Sequence, residues 1–449
     1  MNTTSLSRTL PPRLFPIAGT DFDVQALRAL AEAQLRPAFP NEAGLPAGYT
    51  YLGQFVDHDI TPPSHGFRAS IKQGTTPALD LDSLYGDSRR DPAVAMNANG
   101  TFRFGVRGSG LLDVPRSATT FAPHIPDERN DDNFIVAQIH VLFMRLHNAL
   151  VLEHAGDSDP YDAARKELTF LYQCVVWYDY LKRILDDTVW RLHDDPPPHF
   201  PFLSDGRPLA IPREFSAAAY RFGHSLVRRD YHLNDRYQFI PLGRIVNHAQ
   251  ARGLADTSER PSSQIAWRFF FELVNRGSDP VFQTARSIST NLTPALAAVR
   301  EDPPDYLNLV ERDLLASIEQ DLPDAQSIIR YLDHHHPAYV ARNQLRVLTP
   351  AQLESHPIGG VLQQWGLDTR TPLWTYVLIE PWFQRPRPGA RLGTLGSIIV
   401  AETFRPLLQN VRPGAALDEA TKDSLVLSRL SLPAKFLQMR HLLTLFAIQ

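Results

Sequence analysis

Apolar residues recur at three- and four-residue spacing along much of the chain, and strict alternation is scarce. In "DDNFIVAQIHVLFMRLHNALVLEHAG" they fall at Ile135, Ile139, Leu142, Leu146 and Ala149, after an Asn/Asp cluster and before Gly156. That pattern predicts a long amphipathic helix from about residue 131 onward. A second helix is predicted over about 160–190, where Leu168, Leu171, Val175, Tyr178, Leu181 and Leu185 share a face, and a third over "PREFSAAAYRFGHSLVRR". Others are expected near 264–275, 305–320, 324–333, 371–380 and 394–409, with a short one at "DFDVQALRALAEAQ". The 37 prolines fall mostly between these segments as breakers. The fold class expected is mainly α, a single compact helical domain with long loops. Residues 1–50, proline-spotted and weakly periodic, are expected to form an N-terminal arm wrapped over a body of residues 51–449.

Composition narrows the picture. A chain of 449 residues with 43% apolar content can bury a large core. Its 45 basic and 49 acidic residues leave a net charge of −4, without the one-sign excess that nucleic acid or an anionic membrane selects, so neither is expected as a partner. The first residues, "MNTTSLSRTLPPRLFPIAG", lack the apolar core of a secretory signal. No apolar run approaches the roughly 18 to 20 residues of a membrane span, and a cytoplasmic location is the expectation. The lone Cys174 lies in the helical stretch "LTFLYQCVVWYDYL". It reads as a buried inert thiol and cannot form an internal disulfide.

Candidate chemistry begins at "YLGQFVDHDITPP", residues 51–63, where a histidine stands between two aspartates after an apolar run. If the stretch is helical, Gln54 and His58 share a face, with Asp57 and Asp59 to either side. An imidazole there can exchange protons near neutral pH, and a neighbouring carboxylate can orient it or bind something else. Taken alone, the triplet reads equally as the polar end of a short helix. His140 and His147, seven apart on the long helix, read as packing or hydrogen-bonding residues. The run His334–His336 reads as an exposed loop, and "HNALVLEH" lacks the spacing of a zinc hydrolase.

Three further segments accompany that stretch. Arg129 stands in "IPDERNDDNF", His224 follows Arg221 by three residues in "YRFGHS", and "TPALDLDSLYGD" sets Thr76, Asp80 and Asp82 at even spacings. With "GQFVDHD" and "LFMRLHN", these segments resemble the animal-type haem peroxidase family, which includes myeloperoxidase-like enzymes and, more distantly, the cyclooxygenases. The resemblance spans roughly residues 45–230 and continues loosely towards the C-terminus.

The resemblance implies a helical domain around a buried haem b. It makes His58 the distal histidine, Gln54 its pocket neighbour, Arg129 the catalytic arginine and His224 the proximal iron ligand. Such a histidine can shuttle a proton between peroxide oxygens while an arginine stabilises developing charge. By the same pattern Arg221 pairs with a haem propionate or orients the ligand. Asp313, in "ERDLLASIEQDLP", stands where the family usually has an asparagine partner for the proximal histidine; a carboxylate there would make the imidazole more basic. Calcium is implied at Asp59, Thr76, the Ala78 carbonyl, Asp80 and Asp82, an all-oxygen set that suits a hard cation. Ester bonds to haem are a family option at Asp57 and at Asp132, where a glutamate is more usual. First-turn acids favoured by the helix dipole account for Asp131 and Asp132 equally well. Asn133 occupies the position of a methionine link and cannot form it.

The activity expected is reduction of hydrogen peroxide with oxidation of a small donor, halide or organic. Two alternatives share the haem: a cyclooxygenase- or fatty-acid dioxygenase-like enzyme, and a haem-binding protein without turnover. In the cyclooxygenase-like branch the radical tyrosine stands three residues before the proximal histidine. Arg221 occupies that position here, and Tyr220, one residue earlier, would be turned by roughly 100° on an α-helix.

Overall fold

The computed structural model describes residues 10–36, 42–62, 77–86, 94–107, 111–194, 210–246, 265–273, 282–298, 308–408 and 415–448. Its principal helices are α1 (Val24–Gln34), α2 (Gly48–Ile60), α3 (Phe134–Glu153), α4 (Pro160–Cys174), α5 (Leu309–Glu319), α6 (Ala325–His335), α7 (Leu373–Ile379) and α8 (Thr394–Leu407). Among the described residues the strands form three two-stranded antiparallel pairs. The chain is mainly α, as the spacing of its apolar residues predicts.

Capping side chains fix where several helices start. Asp23 accepts from the amides of Gln25 and Ala26 at the head of α1, Asn133 from Val136 at α3, and Asn308 from Val310 and Glu311 at α5. Helix α3 therefore begins at Phe134, and neither Asp131 nor Asp132 is a first-turn residue. Asp131 instead accepts two 2.5 Å hydrogen bonds from Arg116, which also pairs with Asp113.

Helix α3 corrects the expectation that no segment is long and apolar enough to cross a membrane. By length and composition it is, with a mean hydropathy of 1.5, yet 78% of that window is buried inside the protein. A helix apolar on all sides suits the centre of a large core equally well. Phe55 of α2 stacks on Phe143 of α3 at 4.8 Å, and Leu52, Phe55 and Val56 are fully buried. Each such side chain contributes about 1.5–3 kcal/mol.

Three expected helices differ. The segment from 160 runs through α4 into a π-helical turn, Val175–Leu181, and ends at Ile184. Of the segment near 264–275, the described residues 265–273 hold a 3₁₀ turn, Trp267–Phe269, with Trp267, Phe269, Phe270 and Phe271 all buried. The segment beginning "PREFS" splits into Arg213–Ser216 and a 3₁₀ helix, Ala219–Leu226. His334 and His335 are also not in a loop. They form the exposed last turn of α6, which Asp324 caps. Residues 10–36 share the main core: Phe15, Leu27 and Leu30 are buried, and Thr20 exchanges hydrogen bonds with Asp324.

Candidate active site

The N-terminus of α2 is held by close backbone contact. The Gly48 amide donates to the Phe270 carbonyl at 2.8 Å, and a Cβ on Gly48 would sit 2.7 Å from that oxygen. No other residue fits this approach without a shift. From there the helix carries Gln54, Asp57, His58 and Asp59 into the interior. His58 and Asp59 are buried, and Gln54 and Asp57 are half-buried.

His58 is oriented by a residue the sequence reading did not single out. Its Nδ1 donates to Oδ1 of Asn130 at 2.9 Å, while Nδ2 of Asn130 donates to Nδ1 of His140 at 3.2 Å. Burial holds His140 down to about 3, so it is neutral and accepts. This chain sets the His58 tautomer, with the proton on Nδ1 and a lone pair on Nε2, which has no protein partner among the described residues. Burial, with Arg129 nearby, also pushes the His58 pKa below its ordinary value, so the ring is neutral at pH 7. Nothing periodic marks Asn130; its only signal is its place beside Arg129.

Arg129 lies in the 3₁₀ turn Glu128–Asp131. It pairs with Asp127 at 2.6 Å and donates from Nη2 to the carbonyls of His58 and Thr61, both at 2.8 Å. The guanidinium thus clamps the end of α2 and stands beside His58. Asp57 and Asp132 are close enough to favour its charge, which puts both ester candidates around one cation. Gln54 accepts from Nδ2 of Asn133 at 3.0 Å, linking α2 to the start of α3.

On the facing element, the 3₁₀ geometry of Ala219–Leu226 brings residues three apart into line. Arg221 and His224 therefore reach the same carboxylate on α5. His224 donates a short hydrogen bond from Nδ1 to Oδ2 of Asp313, and Arg221 Nη1 donates to Oδ1 at 3.0 Å. Burial opposes the charge on fully buried Asp313, yet the His224 ring and the Arg221 and Arg312 guanidiniums hold its carboxyl down to about 2. With Nδ1 engaged, Nε2 of His224 has no protein partner among the described residues. The two elements touch where the Tyr220 hydroxyl lies 3.3 Å from the Gly53 carbonyl oxygen.

Asp59, Asp80 and Asp82 form an acidic cluster, with one oxygen of each within 4.8 Å of the others. Burial, then Asp82 and Asp80, push the Asp59 pKa well up. Between the two loop acids, buried Leu81 adopts a left-handed φ of 61°, unusual for a bulky residue. Its amide donates to Asp59 at 3.2 Å. Ala78 is half-buried in the same loop, and Thr76 lies outside the described residues.

The donor set fits a haem. Two imidazoles, each engaged through Nδ1, keep Nε2 clear of protein partners among the described residues on elements in contact, so one would hold the haem iron and the other would serve as a base. His147, by contrast, is spent on structure: its nitrogens lie 2.9 Å from the Tyr85 hydroxyl and 3.0 Å from the Gly100 carbonyl oxygen. Cys174 is buried, and burial pushes its thiol pKa up.

Residues 60–340 match the family model described as animal haem peroxidase. Thyroid peroxidase of Mus musculus is 25% identical over 314 residues, 66% of this chain, and myeloperoxidase of Homo sapiens is 25% identical over 338 residues, 68% of this chain. The chain spans 31% and 41% of the length of those two relatives. Peroxidase A from Dictyostelium discoideum superposes with a TM-score of 0.64 at 16% identity, over 96% of this chain and 95% of its own. The fatty acid alpha-dioxygenase of Oryza sativa gives 0.63 at 13% identity, over 95% and 81%.

Proposed function

The chain belongs to the animal haem peroxidase family, and from that premise we propose that it is a haem-dependent peroxidase that reduces hydrogen peroxide and oxidises a small donor. The observation that carries the reading is the paired tautomers: His58 and His224 are each held through Nδ1 with Nε2 available. In this reading His224 ligates haem iron, and Asp313 makes it a more basic ligand than an asparagine would. The bound haem supplies the two electrons that split peroxide. His58 accepts the proton of the incoming peroxide at Nε2 and returns it to the leaving oxygen, and Asn130 keeps the ring in the tautomer that can do so. Arg129 places a positive charge beside that base. Arg221 acts on the site through Asp313.

Asp59, Asp80, Asp82, the Ala78 carbonyl and Thr76 are proposed calcium ligands; a cation would relieve the mutual repulsion of the three acids. Asp57 and Asp132 are proposed sites of ester attachment, with the shorter Asp132 the less able to reach.

The test is the absorption spectrum of the haem-loaded protein before and after hydrogen peroxide. The parent should respond within the mixing time of a stopped-flow instrument. His224→Ala should lose haem, whereas His58→Ala should keep it and react about 10²- to 10⁴-fold more slowly, the usual worth of a general base. Reaction of His58→Ala at the parent rate would remove His58 from the mechanism. The likeness in fold to a fatty acid dioxygenase raises the oxygenase alternative. Arg221 three residues before His224 weighs against it, and oxygen uptake on adding unsaturated fatty acids would favour it.

A further inference from the structure

A cleft of about 210 Å³ opens on the surface among Lys182, Arg183, Arg391, Lys435, Phe436 and Asp179. Four cations meet one buried acid. Arg183 is committed to Asp179 at 2.7 Å, and Arg391 to Asp187 and the Lys182 and Leu185 carbonyls. Lys182 and Lys435 lie over the rings of Trp190 and Phe436, at 4.8 and 5.5 Å, with no carboxylate in salt-bridge range among the described residues. Phe436 itself is 53% exposed. Cations beside an exposed ring suit a small anionic aromatic molecule.

The floor of this cleft leads inward. Asp179, 1% exposed, accepts a 2.5 Å hydrogen bond from the Tyr49 hydroxyl, and the Arg183 guanidinium lies 5.0 Å over the Tyr49 ring. Tyr49 stacks on Tyr180 with centroids 6.3 Å apart and planes 10° from parallel. The Tyr180 hydroxyl is 3.2 Å from that of Tyr220, four residues before His224. Gly53 admits this approach: a Cβ there would lie 2.2 Å from the Tyr180 oxygen. Asp57, beside the proposed haem, is electrostatically close to both Tyr180 and Tyr220. Three buried phenols thus run from the cleft to the active site, and the outermost has a carboxylate ready to take its proton.

We propose that Tyr49, Tyr180 and Tyr220 carry electrons from a single-ring anionic phenol, bound in the cationic cleft, to the buried site. The proposal rests on the peroxidase reading, because its oxidant is the haem after peroxide has oxidised it. One electron leaves Tyr49 through Tyr180 and Tyr220, and the Tyr49 phenolic proton crosses to Asp179. The neutral Tyr49 radical then takes one electron from the bound phenol, whose hydroxyl proton passes to water in the open cleft. Asp179 returns its proton to Tyr49. Each cycle removes one electron and one proton from the donor and delivers one electron inward; two cycles, with two protons taken up from water at the buried site in exchange for the two released in the cleft, reduce one peroxide to two waters. Burial and Asp179 push the Tyr49 pKa well up, so the phenol keeps its proton until it is oxidised.

The test has two arms on the haem-loaded protein. In equilibrium dialysis without peroxide, 4-hydroxybenzoate should bind, and Lys435→Glu should weaken it about tenfold while changing its uncharged methyl ester little, since only the acid loses a charge contact. Equal loss for both, or no binding to the parent, overturns the cleft. In the second arm the protein is mixed with peroxide and frozen for electron paramagnetic resonance. A tyrosyl signal should form and should decay faster with 4-hydroxybenzoate, and Tyr49→Phe should abolish that acceleration. Acceleration retained in Tyr49→Phe, or no tyrosyl signal although the haem spectrum responds to peroxide, overturns the relay alone. A haem spectrum that does not respond overturns the peroxidase reading with it. If Tyr49→Phe does not fold, Tyr180→Phe serves the same arm, and acceleration retained there counts equally against the path.

Discussion

The proton position on one imidazole decides whether His58 can act as a base, and Asn130 sets it by accepting from Nδ1 on one side and donating to His140 on the other. Removing the amide without leaving a hole is therefore the informative change. Asn130→Leu should keep haem and slow the reaction with peroxide by about 10- to 100-fold, the usual cost of losing an orienting partner. Stopped-flow traces of the haem band would measure it, and an unchanged rate would mean that Asn130 does not fix the ring. The lowered pKa of His58 carries its own consequence. A base whose pKa is depressed stays neutral as the pH falls through 6.5, so the peroxide rate should be flat across that value and decline only at lower pH. Asp313, held ionised by His224 and Arg221, should in Asp313→Asn give a weaker pull on the His224 proton. A lower iron–histidine stretching frequency in the Raman spectrum would report it.

At the level of elements, helix type matters as much as helix position. On an α-helix Arg221 and His224 would diverge by 60°, whereas the 3₁₀ turn eclipses them and both meet Asp313. Another element junction makes stability depend on pH. Glu380 is buried against the N-terminus of α8, where its carboxyl accepts from the Leu395 amide. Burial outweighs those amides and raises its pKa from 4.5 to about 7. Between those values the folded state holds a proton that the unfolded state has lost, so stability should fall as pH rises from 4.5 to 7 and then level off. The span is on the order of 3 kcal/mol. Glu380→Gln should flatten that stretch of the profile in denaturant melts; a slope equal to the parent's would place the titration elsewhere.

Across the whole molecule, Asp59 on α2 and the Asp80–Asp82 loop are tied by hydrogen bonds and opposed by charge. A bound cation would turn that conflict into a brace between the helix bearing His58 and the rest of the fold. A ligand at a hundred times its dissociation constant adds about 2.7 kcal/mol, so chelating calcium should lower the melting temperature of a chain this long by roughly 3 °C. Calorimetry with and without chelator would measure this, and Asp80→Ala should show no further drop on chelation.

The sequence by itself determined the mainly helical class and the likeness to the family, and it put forward most of the residues proposed for the site. Those signals are local: apolar spacing reports a buried face, an Asp or Asn before it reports a cap, and motif order reports the family. What only the tertiary structure decided is which groups meet. Asn130 lies 72 residues from His58 and no periodicity encodes that pairing, while Asp313, 89 residues from His224, was legible only through the resemblance to the family. The choice of a 3₁₀ over an α-helix at 219–226 is likewise set by packing against α2, α7 and α8, because the two differ by little in local preference. The apolar character of α3 shows the same limit. Its composition suits a lipid or a protein interior, and only the elements packed around it make it the latter.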